Sequence, residues 1–425
     1  RLVAYLYSER FAIPRHAQSD GAAGRRTHAG LGTDRRCPMI AMTARASLCL
    51  LVVALLALPG CGGDKPNTAA AGKTTLVLSQ VRVDRALIVP EKGEAATVRF
   101  HLNETAGVTL SIFDGRDRQV FAKTVEDLAP GEHDIAWPGT DQSGATVPPE
   151  AYSYTLRAKN GGGEVVYDLT DTTAGEPITA KEVRWDAQAK AVTYYLDKPA
   201  RVNLRLGLKD GPYLRTLVDW VPRTAGRHAE VWDGADASGV LQLQAHPSLT
   251  PVVNATALPA NTLFVGPLPD RVRFAADAAQ ATLRARTAPT PRKRIFDRAR
   301  QPLDTRGDIT ASLTLTGDYR KDAQGRWIVS GQVPLVVNVS DAERQRVLER
   351  RFESVFYIDG TYAHENELGY LPLTWVWDTT RINPGEQFIT LNVRGYEGNF
   401  GAATLKVIVA DRAASTPDAA KAGTR

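Results

Sequence analysis

The stretch Gly131-Glu-His133-Asp-Ile-Ala-Trp137-Pro-Gly139-Thr-Asp141-Gln-Ser143-Gly144 returns 95 residues later as Gly226-Arg-His228-Ala-Glu-Val-Trp232-Asp-Gly234-Ala-Asp236-Ala-Ser238-Gly239, with seven identities. A repeat of that period is the size of one small β-sandwich. Upstream the offset becomes 94. Val98, Phe100 and Leu102 then align with Val192, Tyr194 and Leu196, and Val108, Leu110 and Ile112 with Val202, Leu204 and Leu206. Each set has period two, so one face of each strand is apolar and packs inward. Such a chain is excluded from helical bundles and parallel α/β folds. It must build sandwiches in series.

Chemistry assigns the repeated residues to the frame. Gly131 and Gly226 open a strand. His133 and Trp137, like His228 and Trp232, share one face of it, with the tryptophan closing the core and the histidine bonding a turn. Asp141 to Gly144 and Asp236 to Gly239 read as tight turns, with Asp accepting backbone N–H groups and Gly supplying positive φ after the Gly139 and Gly234 turns. This pattern, with the alternating Tyr152, Tyr154 and Leu156 strand behind it, resembles the Ig-like domain of the flagellar hook-capping protein. The resemblance implies an immunoglobulin-like fold and an extracytoplasmic setting, not a flagellar role. The second copy follows the pattern through Gly239 and then departs; Leu241 to Pro259 reads as irregular.

A third sandwich is expected over 308–412, from strand signals at Ile309–Leu315, Trp327–Val339, Phe352–Ile358, Leu373–Trp377, Phe388–Val393 and Ala403–Ala410, with Ser340 to Glu343 capping a short helix through Arg350. The run Trp377-Asp-Thr … Pro384-Gly-Glu-Gln-Phe388 … Gly395-Tyr-Glu-Gly-Asn399 … Gly401 is similar to the end of bacterial Ig-like surface domains. The whole is expected to be all-β: a first sandwich over 76–170, a second over 171–265, a basic linker over 266–307 that is helical in part, the third sandwich, and a disordered tail over 413–425.

The N-terminal part carries a different signal. Arg45 precedes an apolar run from Leu48, which ends in Leu58-Pro59-Gly60-Cys61. A charged segment, a short apolar segment and a small residue before cysteine form a secretory signal. The run resembles the lipobox of bacterial lipoproteins, in which the cysteine is lipidated and becomes the mature N-terminus. Residues 42–60 are then the signal peptide, with Met42 as start and Met39 the alternative. Residues 1–41 are a leader outside the protein, and 61–75 a flexible tether. Gly62 rather than Asp follows the cysteine, and the resemblance therefore implies the outer membrane. Residues 1–60 hold eight arginines against Glu9, Asp20 and Asp34, which is the whole net charge of +5. From Cys61 onward the charges balance, so the basic balance gives no argument for nucleic acid.

His364-Glu-Asn-Glu-Leu368 opens like a zinc-protease helix but lacks its second histidine. Asp114-Gly-Arg-Asp117 and Asp233-Gly-Ala-Asp236 supply two carboxylates each, too few oxygens for calcium. No metal, cofactor or catalytic residue is expected. The candidate contact residues are Tyr362, His364 and Tyr370 in the 359–371 loop, and Arg292, Lys293 and Arg294 in the linker; Tyr213 and Trp220 read as further exposed aromatics or as core. The expected role is a membrane-anchored spacer or protein-interaction scaffold, with an envelope protein as partner. The alternative is a carbohydrate-binding module with a glycan partner.

Overall fold

The computed structural model describes residues 75–268, 302–303 and 305–410. Cys61, the signal segment, Arg292, Lys293, Arg294 and the 413–425 tail lie outside the described residues. Alternating apolar residues produce three β-sandwiches, each with its own buried core. The first sets the sheet β1 (Leu78–Val83), β3 (Ala96–Leu102) and β6 (Gly131–Trp137) against a larger one. That larger sheet runs β2 (Leu87–Ile88), β16 (Thr262–Val265), β7 (Ala151–Asn160), β4 (Ala106–Phe113) and β5 (Gln119–Leu128), with β8 (Gly163–Tyr167) also pairing β7. Val98, Phe100 and Leu102 face Val108, Leu110 and Ile112 across the core, all buried.

The second sandwich repeats this plan. Its sheets are β10 (Lys181–Asp186), β11 (Ala191–Leu196), β14 (Gly226–Val231), and β13 (Tyr213–Arg223), β12 (Ala200–Leu208), β15 (Leu249–Ala257), β9 (Pro177–Ile178). The third pairs the sheet β17 (Ala311–Leu315), β20 (Gln332–Val339), β23 (Leu373–Asp378) with β18 (Arg320–Lys321), β19 (Trp327–Val329), β25 (Phe400–Val409), β24 (Gly385–Gly395), β21 (Phe352–Ile358), β22 (Thr361–Asn366).

Three expectations are corrected. Thr262–Val265 does not belong to the second sandwich. Its four residues are buried in the first, where β16 runs antiparallel to Ala151–Ser153 of β7 and parallel to β2. The second sandwich is thus an insertion in the first, and the chain crosses between them twice. The supposedly irregular 241–259 segment contains β15, paired with β12 along all nine residues. Pro251 is tolerated there because β9 flanks only Ala255 and Thr256, so no strand needs an N–H from position 251 on that side. The 359–371 segment is not a plain loop, since Thr361–Asn366 forms the edge strand β22.

The helix Asp341–Arg350 starts after Ser340, but the Ser340 side chain caps no backbone N–H. Its hydroxyl and the Thr310 N–H both bond the Glu343 carboxylate instead, which ties the helix to the start of β17.

Three polar side chains sit where the repeat predicts apolar ones. In the first sandwich Phe100, Ile135 and Leu128 are apolar neighbours of the core. Their counterparts are Tyr194, Glu230 and Arg223. The register shows the equivalence: Ala106 faces Leu128 as Ala200 faces Arg223, and Val98 faces Ile135 as Val192 faces Glu230. The three polar groups satisfy one another. Arg223 Nε donates to Glu230 Oε1 at 2.9 Å, Nη2 to Oε2 at 3.2 Å, and the Tyr194 hydroxyl to Oε1 at 2.8 Å. Removing one member of a buried ion pair strands the other charge, whereas replacing the set with apolar residues of like size does not. Glu230→Ala should therefore cost about 3–5 kcal/mol. The triple change Tyr194→Phe, Arg223→Leu, Glu230→Ile should be neutral or stabilising, measured as denaturant midpoints of the full chain.

Candidate functional site

The repeated motif is framework chemistry, and its histidine and tryptophan make the same bonds in both copies. His133 Nε2 bonds the Ala129 carbonyl at 2.6 Å, and His228 Nε2 the Thr224 carbonyl at 2.8 Å. Each imidazole packs on the aromatic ring facing it, Phe100 or Tyr194. Trp137 and Trp232 are buried, and each indole N–H donates at 2.8 Å three residues ahead, to Thr140 or Ala235. Gly139 and Gly234 take φ of 76° and 86°, which favours glycine on conformational grounds; a Cβ at Gly139 would also lie 2.5 Å from Pro90 Cγ. Asp141 Oδ1 accepts the N–H groups of Ser143 and Ala145, and Asp236 Oδ1 those of Val240 and Leu241. Gly131 and Gly226 begin β6 and β14, and Gly144 and Gly239 end the turns with positive φ. Asp114 is likewise occupied, accepting from the Arg116 and Arg118 backbone and from Arg118 Nε.

Tyr362 and His364 lie on β22, and Tyr370 in the connection to β23. Tyr362 is 48% exposed and Tyr370 51%. His364 is not available in the same way, because its ring stacks on Trp375 at 5.4 Å and 9°. Tyr213 is not a free aromatic, since its ring meets Phe400 edge-on at 5.7 Å. Trp220 is half-buried, and its backbone carbonyl accepts Arg306.

The densest polar chemistry lies where the three sandwiches meet, and the sequence reading missed it. A short clasp, residues 305–308, runs through this junction. Glu150, at the edge of the first sandwich, accepts from Arg201 Nη1 of β12 and from Arg306 Nη1 of the clasp, both at 2.8 Å. The three side chains are 18%, 2% and 10% exposed. Burial alone would raise the Glu150 carboxyl, but the two guanidinium groups outweigh it and hold it down at about 2. Arg306 was expected in a solvated basic linker. Its guanidinium instead bonds both Glu150 and the Trp220 carbonyl. The Gly307 N–H donates to Asp219 of β13, and Asn399 Nδ2 of the third sandwich donates to the Thr305 carbonyl at 3.0 Å.

Direct contacts between the second and third sandwiches extend the junction. Asn392 and Tyr213 exchange two bonds, at 3.0 and 2.7 Å. Arg205 lies 4.7 Å over the Phe400 ring and donates to the Gly398 carbonyl. Ser238, in the repeated turn, accepts the Thr404 N–H, whereas its counterpart Ser143 bonds its own Asp141. The available signal was weak. Arg201, Asn203 and Arg205 alternate with Val202, Leu204 and Leu206, a pattern that a solvated face shares.

The depressed Glu150 value makes a sign-definite expectation. A carboxyl held near 2 when folded and near its ordinary value when unfolded stabilises the fold fully above about pH 4.5 and loses that contribution as pH falls toward 2. The contribution is about 3 kcal/mol. In melting curves from pH 5 to 2.5, Glu150→Gln should start less stable than the parent and converge on it as the pH drops.

Residues 87–162 match the family model described as the FlgD Ig-like domain. The basal-body rod modification protein FlgD of Salmonella typhimurium (strain LT2) is 31% identical over 112 residues, covering 24% of this chain and 48% of that protein, and its Salmonella typhi counterpart matches equally. The chain spans about half the length of these curated relatives. Among solved structures, FlgD from P. aeruginosa aligns at 20% identity over 21% of this chain and 67% of that one, with a TM-score of 0.18. The fibronectin(III)-like modules of Clostridium thermocellum CbhA align at 9% identity over 81% and 98%, with a TM-score of 0.19. Motif and family match meet on one stretch, and the first sandwich is similar to the FlgD Ig-like domain.

Proposed function

We propose that this chain is a lipid-anchored, non-enzymatic arm of the cell envelope that holds a protein partner at a set distance from the membrane. The observation that supports it best is the three-way junction: Glu150, Arg201, Arg306 and Asn399 tie three sandwiches together through one clasp. Strings of domains on single linkers move freely by default. Here a double chain crossing and buried charges oppose that motion, which suits a spacer or scaffold. Cys61 carries the anchor. The tether behind it reaches at most about 50 Å when extended, and the exposed Tyr362 and Tyr370 of the third sandwich are the face offered to the partner. The outer membrane is the proposed location.

Cell fractionation with mass spectrometry of the N-terminal peptide tests the anchor. The parent should pellet with membranes and carry acyl chains on Cys61, and Cys61→Ser should appear in the soluble fraction. A Cys61→Ser chain that stays in washed membranes defeats the anchor. Site-specific photo-crosslinking from Tyr362 should trap a discrete protein adduct. Glycan-array binding abolished by Tyr362→Ala, with no adduct, would replace the scaffold by a carbohydrate-binding module.

A further inference from the structure

The clasp meets the second sandwich at a carboxylate that its repeat does not have. In the first sandwich the cross-strand position on β4 and β5 holds Thr109 and Thr124, whose hydroxyls bond each other at 2.9 Å. The same position on β12 and β13 holds Asn203 and Asp219, joined at 3.3 Å through Asn203 Nδ2. Asn203 and Asp219 are 1% and 3% exposed, because the third sandwich and the clasp cover them. Asp219 Oδ2 accepts the Gly307 N–H. Asp308 of the clasp is the like charge beside it. Arg205 of β12 and Arg306 of the clasp are the opposing charges, and Arg394 of β24 faces Arg205 from the third sandwich. The buried Asn203 Oδ1 has no hydrogen-bond partner among the described residues. One rotation of that amide would turn this acceptor toward Asp219, where only a protonated carboxyl could donate to it.

We propose that Asp219 makes the clasp a proton-operated latch, which holds the third sandwich closed in mildly acidic surroundings and eases as they become neutral.

Burial, reinforced by Asp308, pushes the Asp219 carboxyl up to about 6. Once the clasp lifts and water reaches the group, it returns to an ordinary carboxylate value near 3.9. The docked state therefore binds the proton more tightly than the open one. Its extra stability is fully present below about pH 4 and is lost as pH rises through 6. The difference corresponds to a shift of roughly 100-fold in the closed-to-open ratio. Glu150 does not oppose this, because it stays ionised across the same window. The latch thus works on top of a permanent ion-paired anchor.

Hydrogen exchange at the Gly307 amide, read on the full chain between pH 4.5 and 8 and corrected for the intrinsic rate, tests the latch. Protection in the parent should fall by tens-fold as pH rises through 6. Asp219→Asn, neutral at every pH, should hold its protection constant. Asp308→Asn removes the like charge, so the fall should move to lower pH while the fold stays intact. A parent profile that is flat across pH 6 overturns the proposal. So does an Asp219→Asn profile that falls like the parent's, or an Asp308→Asn midpoint that does not move.

Discussion

Glu150 is the residue on which the arrangement of this protein turns. It leaves the first sandwich as a buried carboxylate and is neutralised by one arginine from the second sandwich and one from the clasp. A buried charge costs several kcal/mol unless its partners stay in place. Pulling Glu150 away strands both guanidinium groups, and pulling either arginine away strands that arginine. The triad is therefore poor as simple glue but effective as a constraint: it tolerates one mutual position of the partners and penalises departures from it.

Chain topology supplies the second half of that constraint. The chain enters the second sandwich through β9 and returns to the first through β16, so both connections must move if the two bodies rotate. Within this frame the third sandwich docks without sharing a strand, through the side chains of Asn392, Phe400 and Asn399 and the backbone of Gly398 and Thr404. It is the body whose position depends on polar contacts rather than on shared sheets. That difference makes the third sandwich, and not the joint between the first two, the body on which proton-sensitive chemistry at the junction acts.

Much of the fold was legible because it rests on local rules. Period-two alternation placed Val98 to Leu102 and Val192 to Leu196, and the Gly, His, Trp and Asp of the repeat declared their turns by chemistry. What escaped was non-local. Thr262–Val265 is a short apolar run that fits either sandwich, and only the open edge beside Ala151–Ser153 decides between them. β15 was hidden by Pro251 and by small residues such as Ala255 and Ala257. Arg201 and Arg205 looked like a solvated strand face, because alternation reports that a face is polar and not whether another domain covers it. Arg306 sat among other arginines, and nothing local separated it from them.

The two repeats show how an interface was written onto a fold without disturbing it. The motif histidines and tryptophans keep their bonds in both copies, the indole N–H reaching three residues ahead and the imidazole reaching back four. The outward positions differ: Asn203 and Asp219 stand where the first copy has Thr109 and Thr124, and Ser143 serves its own turn where Ser238 serves the third sandwich. Inside the second copy, the apolar trio of Phe100, Leu128 and Ile135 gave way to Tyr194, Arg223 and Glu230. That trio is closed on itself, since each charge has its partner within the set. The outward set is not closed: Asp219 takes its N–H from the clasp, and Arg205 takes its carbonyl from Gly398. A polar group satisfied within its own domain is framework. One that is satisfied only by a neighbour is interface, and by that criterion the second sandwich is the one adapted to be covered.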